Sequence, residues 1–143
     1  MIDLAPWIER LSMRVPALAG RVAGAADLAA AAEDAVAPPA AWVLREDEQA
    51  APNERLQGPV RQRLRCRVSV VLAVENVADA RGEAADADLL ALRRAVFAAL
   101  IGWTPPGAET PVELAVGRRL GFDDQILWWG DLFTTYTWME QTP

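Results

Sequence analysis

The sequence predicts a single α+β domain in which a mainly antiparallel sheet of about four strands carries its helices on one face. Two observations favour this class. Segments with helix and strand periodicity follow one another in the order α-α-β-β-α-β-β, which groups the strands into pairs instead of alternating each strand with a helix. A length of 143 residues also fits one domain with one core. The domain is therefore assigned to residues 1–143.

Three segments have the apolar spacing or composition of helices. The first is predicted over residues 3–15, with Asp3 as its N-terminal cap. An alanine-rich helix is expected over residues 27–36, and the principal helix over residues 83–101. A polar connection at residues 76–82 should precede the principal helix.

The clearest strand signal lies at residues 60–75. Even positions from Leu64 to Val74 are apolar, whereas the odd positions from 61 to 67 are all arginine, which is a strict period of two. The odd positions beyond Ser69 become apolar, so the second half of the strand should be buried on both faces. The arginine-rich half, residues 60–67, is expected to project past the core.

The remaining strands are less regular. A short buried strand is predicted at residues 40–44, followed by a long loop at residues 45–59 that contains prolines, glycine and asparagine. Another strand is expected near residues 112–116, then a turn at residues 121–124 and a last strand over residues 125–138.

The composition removes most routes to catalysis. The chain has no histidine, and all of its 14 basic residues are arginine, so catalytic triads, imidazole metal sites and Schiff-base lysines are excluded. Cys66 lies on the apolar face of a strand, where a small buried hydrophobe is expected. Asp123 and Asp124 could ligate a hard cation, although a turn before a strand is also where aspartate forms local hydrogen bonds. We expect no catalytic residue, no metal site and no cofactor.

The charge pattern points instead to contacts. The net charge of −6 argues against nonspecific binding of nucleic acid by the whole surface. The arginine face of the strand has four possible uses: a solvated face, pairing with carboxylates of a neighbouring copy, phosphate binding, or a charged strand end that discourages uncontrolled edge-to-edge pairing. Two adjacent tryptophans in the last strand must point to opposite faces, so one enters the core and the other is covered by its own chain or by another subunit. The candidate interface residues are Arg61, Arg63, Arg65, Arg67, Glu46, Asp47, Glu48, Trp128 and Trp129.

An ordered set of features spans nearly the whole chain. It comprises the opening Met1-Ile-Asp-Leu-Ala-Pro, Ala-Ala-Asp-Leu at 25–28, the arginine-rich strand leading into Val70-Val-Leu-Ala-Val-Glu-Asn76, Gly82-Glu83, Gly102-Trp-Thr-Pro-Pro-Gly107 and Leu127-Trp-Trp-Gly-Asp131. In this order and spacing the sequence resembles the tail terminator proteins of long-tailed bacteriophages and related phage-like particles.

The resemblance implies a small structural subunit that forms a ring, commonly a hexamer, on the head-proximal end of the tail tube. Such a ring stops tube polymerisation and joins the tail-tube protein to a neck or head-completion protein, while DNA passes through without sequence-specific binding. The expected location is the virion tail, after assembly in the host cytoplasm, with no membrane partner. The alternatives are a head–tail connector, a tail-tube subunit or, more remotely, a small metal-dependent hydrolase built on Asp123 and Asp124.

Overall fold

The computed structural model describes residues 1–31, 37–75, 83–123 and 125–143. Over these residues the predicted α+β class and the order of the main elements are confirmed. The helices are α1 (Ala5–Arg14), α2 (Ala25–Ala31) and α3 (Glu83–Leu100), and a short 3-10 helix, Pro16–Leu18, follows α1. The strands are β1 (Val22–Ala23), β2 (Ala40–Ala50), β3 (Val60–Glu75), β4 (Glu113–Asp123) and β5 (Ile126–Gln141).

In the described part of the chain the strands form one five-stranded sheet in the order β1-β2-β3-β5-β4. The two-residue β1 is the strand that the sequence did not reveal; it pairs in parallel with β2. Every other neighbouring pair is antiparallel. The longest pairing joins β3 to β5, from Val60 opposite Gln141 to Glu75 opposite Ile126. The sheet is thus organised around these two 16-residue strands.

The main core lies on one face of the sheet, which we call the helix face. The even-numbered side chains of β3 pack there against α1 and α3, whose Trp7, Leu11 and Val96 are fully buried. Each such side chain contributes about 1.5–3 kcal/mol through burial of apolar surface. The other face, which we call the second face, carries a smaller cluster in which Leu28 of α2 packs near Trp42. The expectation of helices on one face therefore describes α1 and α3, but not α2.

The ends of the helices differ from the predicted ones. The residue at the N-cap of α1 is Leu4, with no side-chain cap, so Asp3 does not cap this helix. A proline in the first turn of α1 has no N–H that needs a partner, which reduces the need for a cap. The predicted end of the second helix, at residues 32–36, and the connection at residues 76–82 lie outside the described residues.

The loop predicted at residues 45–59 is wrong over its first part, because β2 continues to Ala50. A bulge between Arg45 and Asp47 keeps the charged segment in register with β3, and Asp47 pairs there with an arginine of β3. The acidic run has no strand pattern of its own, and Arg67, which pairs with Asp47, lies 20 residues further along the sequence. The loop is therefore confined to residues 51–59.

Two other predicted boundaries also differ from the observed ones. Strand β4 extends to Asp123, through most of the predicted turn at residues 121–124. In β3, Leu64 is still buried in the core and pairs with β2, so only residues 60–63 extend past the core instead of residues 60–67.

A buried ion pair ties α3 to the sheet. Asp131 on β5 has a fully buried side chain, and Arg93 of α3 donates to it from Nε at 3.0 Å and from Nη2 at 2.8 Å. The Trp129 indole donates a third hydrogen bond at 3.0 Å. Because these donors satisfy both carboxylate oxygens, removing Arg93 would leave a buried negative charge without its counter-ion.

We expect Arg93→Met to lower the free energy of unfolding by about 3 kcal/mol, because breaking one side of a buried pair costs more than the pair contributes. Urea unfolding followed by tryptophan fluorescence measures this change. Arg94→Met, at an exposed position of the same helix, is the matched control and should change stability by less than about 0.5 kcal/mol. Equal effects of the two substitutions would contradict the role of the ion pair.

Candidate subunit-interaction surface

The four arginines of β3 form a row on the second face, which we call the arginine stripe: Arg61, Arg63, Arg65 and Arg67. Aromatic side chains of β5 lie against part of this row. The Arg61 guanidinium lies 4.0 Å from the centre of the Trp138 ring, and that of Arg63 lies 4.0 Å from the centre of the Tyr136 ring. These cation–π contacts hold the long side chains flat against the sheet.

Three members of the stripe are paired with carboxylates of the same chain. Arg61 lies 2.7 Å from Glu54 and 3.7 Å from Glu140, and Arg63 lies 3.1 Å from Glu109. Arg67 donates from both Nε and Nη2 to the two carboxylate oxygens of Asp47. The stripe therefore presents much less positive charge than its sequence suggests, which weighs against a phosphate-binding surface.

The pairing with Arg67 also changes the acidity of Asp47. The hydrogen bonds from Arg67 lower the pKa of the Asp47 carboxyl below its ordinary value of 3.8, and the same contact raises the pKa of Arg67. Both side chains are partly exposed, so solvent weakens the contribution of this pair to stability.

Arg65 is the exception in the stripe. Within the described ranges it forms no ion pair, and its Nε is buried without a hydrogen-bond partner. Its neighbours across the strands are Gln49 of β2 and Tyr136 of β5, neither of which is a carboxylate. Within the described residues, Arg65 is therefore the stripe arginine whose charge has no carboxylate partner.

The acidic segment of β2, residues 46–48, likewise contains both paired and unpaired side chains. Asp47 pairs with Arg67, and Glu48 accepts a hydrogen bond from Arg45 at 2.9 Å. Glu46 is exposed and has no ion pair in the part of the chain that the structure describes. The structure thus brings one member of the stripe, Arg67, together with one member of the acidic segment.

The two adjacent tryptophans lie on opposite faces. Trp129 lies on the helix face beside Arg93, whose guanidinium is 4.6 Å from its ring. Trp128 lies on the second face against Trp42, with ring centres 5.4 Å apart. Both are half-buried by contacts within the chain, so their burial is explained without a second subunit.

The sequence did not reveal the exposed residues of β4. Large apolar side chains on this strand are between 38% and 53% exposed: Leu114, Val116, Leu120 and Phe122. Arg118 lies among them, and on the second face it lines, together with Glu46, a cavity of about 350 Å³. The segment of residues 113–123 is interrupted by two glycines, which masked its strand character.

The described residues contain no group of three or more histidine, cysteine or acidic side chains that could hold a metal ion, and Asp124 of the candidate turn lies outside them. Cys66 is 1% exposed, and burial raises the pKa of its thiol, so it is not a ready nucleophile.

No helix within the described ranges combines the length and the apolarity that crossing a bilayer requires.

The fold and this surface define a small α+β subunit whose exposed features are suited to protein contacts. Comparison with known proteins gives its family: the phage tail terminator protein family matches residues 1–143, and the chain belongs to it. This confirms the resemblance found in the sequence. A solved chain described as "Virion of native gene transfer agent (GTA) particle" shares the fold, with a TM-score of 0.56 and 17% identity over 96% of each chain. No curated protein sequence matches the chain.

We expect Arg67→Gln to raise the pKa of Asp47 toward 3.8, because the hydrogen bonds from Arg67 are the main cause of its depression. NMR titration of the Asp47 carboxyl measures this shift. Arg65→Gln is the matched control and should move this pKa less, since Arg65 acts on Asp47 only through its charge.

The lowered pKa also fixes the pH range in which the pair acts. The stabilisation is fully present above pH 3.8 and is lost as the pH falls through the pKa that Asp47 has in the folded chain. An Asp47 pKa that does not change in Arg67→Gln would contradict the contact.

Proposed function

We propose that this chain is the subunit of a closed ring, expected to be a hexamer, that caps the head-proximal end of the tail tube. The ring stops polymerisation of the tail-tube protein and offers its other side to a neck or head-completion protein. The observation that carries this proposal is the match to the tail terminator family over all 143 residues. The ring would be part of the virion tail, assembled in the host cytoplasm.

The surface chemistry supports passage of DNA through such a ring without sequence-specific binding. The chain has a net charge of −6, and three arginines of its one arginine-rich strand are neutralised by its own carboxylates. A surface of this kind gains little from releasing counter-ions from phosphates. DNA would therefore move past it without being held.

The same composition supports a non-enzymatic role without a cofactor. The sequence has neither histidine nor lysine, and the described residues supply no cluster of metal ligands. The subunit would act through its contacts with other proteins, and a ring of such subunits needs two different surfaces that fit each other.

Of the charged residues proposed for the interface, Arg65 and Glu46 form no ion pair within the described residues. The other stripe arginines and the other acids of the Glu46–Glu48 segment already have partners in the same chain. We therefore retain the arginine stripe as a candidate contact with a neighbouring subunit and place its unpaired charge at Arg65. Trp128 and Trp129 remain candidates through their exposed edges.

The purified protein is expected to have the mass of a closed oligomer in native mass spectrometry or light scattering, both alone and after addition of tail-tube protein. A tail-tube subunit would instead grow into filaments of indefinite mass, and a connector would form oligomers that do not bind tube ends. A strict monomer that binds no tube protein would contradict the proposal.

We expect Arg65→Glu to impair ring formation, because it replaces the unpaired cation of the stripe with a negative charge that would repel a partner carboxylate. Light scattering over a concentration series measures the effect. Arg94→Glu makes the same charge change on an exposed face of α3 and should leave the mass unchanged. Rings of Arg65→Glu that assemble like the wild type would exclude the stripe from the interface.

A further inference from the structure

The sheet has two edges that are open to a further strand within the described residues. There, β4 has a strand neighbour on one side only, and β1 covers β2 only at Ala41 and Trp42. Within the described residues, the segment of β2 from Val43 to Ala50 therefore has β3 as its only strand neighbour. An uncovered edge of this kind is a template for pairing with a strand of another chain.

The strand directions make these two edges compatible. Strand β3 is antiparallel to β2, β5 is antiparallel to β3, and β4 is antiparallel to β5, so β4 runs opposite to β2. When copies are placed side by side with the same face outward, β4 of one copy meets β2 of the next in antiparallel orientation. The contact joins two different surfaces, which is the type of contact that closes into rings.

Opposite charges lie on the two edges. Glu46 on β2 and Arg118 on β4 are both exposed, and neither forms an ion pair within the described ranges. Both line the cavity on the second face, so both project from the same face of the sheet. In a sheet that continues from one copy into the next, they would lie on the same side of the junction, where opposite charges on paired strands attract.

The shape of β4 limits the contact to its centre. Register shifts occur between Leu114 and Val116 and between Arg119 and Gly121, so a regular segment from Val116 to Arg119 remains. Val116 is 50% exposed and would be covered by an added strand. The lysines that commonly guard exposed edges are missing from this chain.

We propose that β4 of one copy pairs antiparallel with the Val43–Ala50 segment of β2 in the next copy, with Arg118 facing Glu46. The pairing makes the sheet continuous across each junction of the ring. This inference rests on the proposed function, and it adds the surfaces that join neighbouring subunits.

Cysteine cross-linking tests the pairing directly. In Glu46→Cys/Arg118→Cys, mild oxidation should link copies into a ladder that ends at the mass of the ring on a non-reducing denaturing gel. Cys66 is buried and should not contribute. The matched control is Glu46→Cys/Arg119→Cys, because Arg119 lines a cavity with Leu127 and Trp129 of the helix face and should give no ladder.

Charge exchange provides a second measurement. Arg118→Glu should raise the protein concentration needed for ring formation by about tenfold, because it places like charges on paired strands. Adding Glu46→Arg should restore wild-type assembly. Because Glu46 and Arg118 also line one cavity of the same subunit, a rescue supports edge pairing only together with the cross-linked ladder.

The outcomes separate this inference from the proposed function. Rings of normal mass that form no cross-linked ladder, and whose assembly is the same in the charge-exchange variants, would contradict edge pairing. They would not contradict ring formation. Covalent dimers from Arg118→Cys alone would show that β4 pairs with β4, which also overturns the inference. A wild-type monomer that does not bind tube protein would overturn both proposals.

Discussion

The structure depends on the pairing of β3 with β5 along their whole length. Sixteen residues of each strand are in register, and the alternation along β3 assigns its apolar side chains to the helix face and its arginines to the second face. A shift of one residue would exchange the two sets, placing arginines in the core. This register therefore fixes both the core and the surface that we propose for assembly. The ion pair between Arg93 and Asp131 then attaches α3 to the same strand pair.

Arginine supplies all of the basic groups, and its planar guanidinium suits the way this chain uses charge. Arg67 makes a bidentate contact with Asp47, and Arg61 and Arg63 each combine an ion pair with stacking on an aromatic ring. Lysine could not reproduce these combined contacts, because its ammonium is a compact point charge. As a result, most charges on this surface are paired with opposite charges of the same chain. The unpaired ones, including Arg65, Glu46 and Arg118, are the better candidates for contacts between proteins.

The sequence predicted those parts of the fold that have a strong local pattern. The bounds of β3 were correct to the residue, and α3 differed by one residue at its end. The predictions failed where a distant partner decides the structure. The acidic part of β2 is a strand because it pairs with β3, where Asp47 lies opposite Arg67, and β4 continues past Gly117 because β5 pairs with it. Neither interaction is visible in a local window of sequence.

Only part of the candidate surface could be predicted from the sequence. The period of two placed the arginines on one face, but it could not show which of them already have partners in the same chain. Their carboxylates come from β2, from the loop before β3, from the segment before β4 and from the end of β5, and only the fold brings these together. For the same reason Arg118 was missed, since its significance lies in an edge that exists only once the strand order is known.

The central claim is that this protein ends a growing tail tube. It is tested most directly by measuring tube lengths in electron micrographs while purified tail-tube protein polymerises with and without this protein. We predict that tubes stop elongating when the protein is present and carry a ring at one end. Tubes that continue to elongate at the same rate and bear no ring would contradict it.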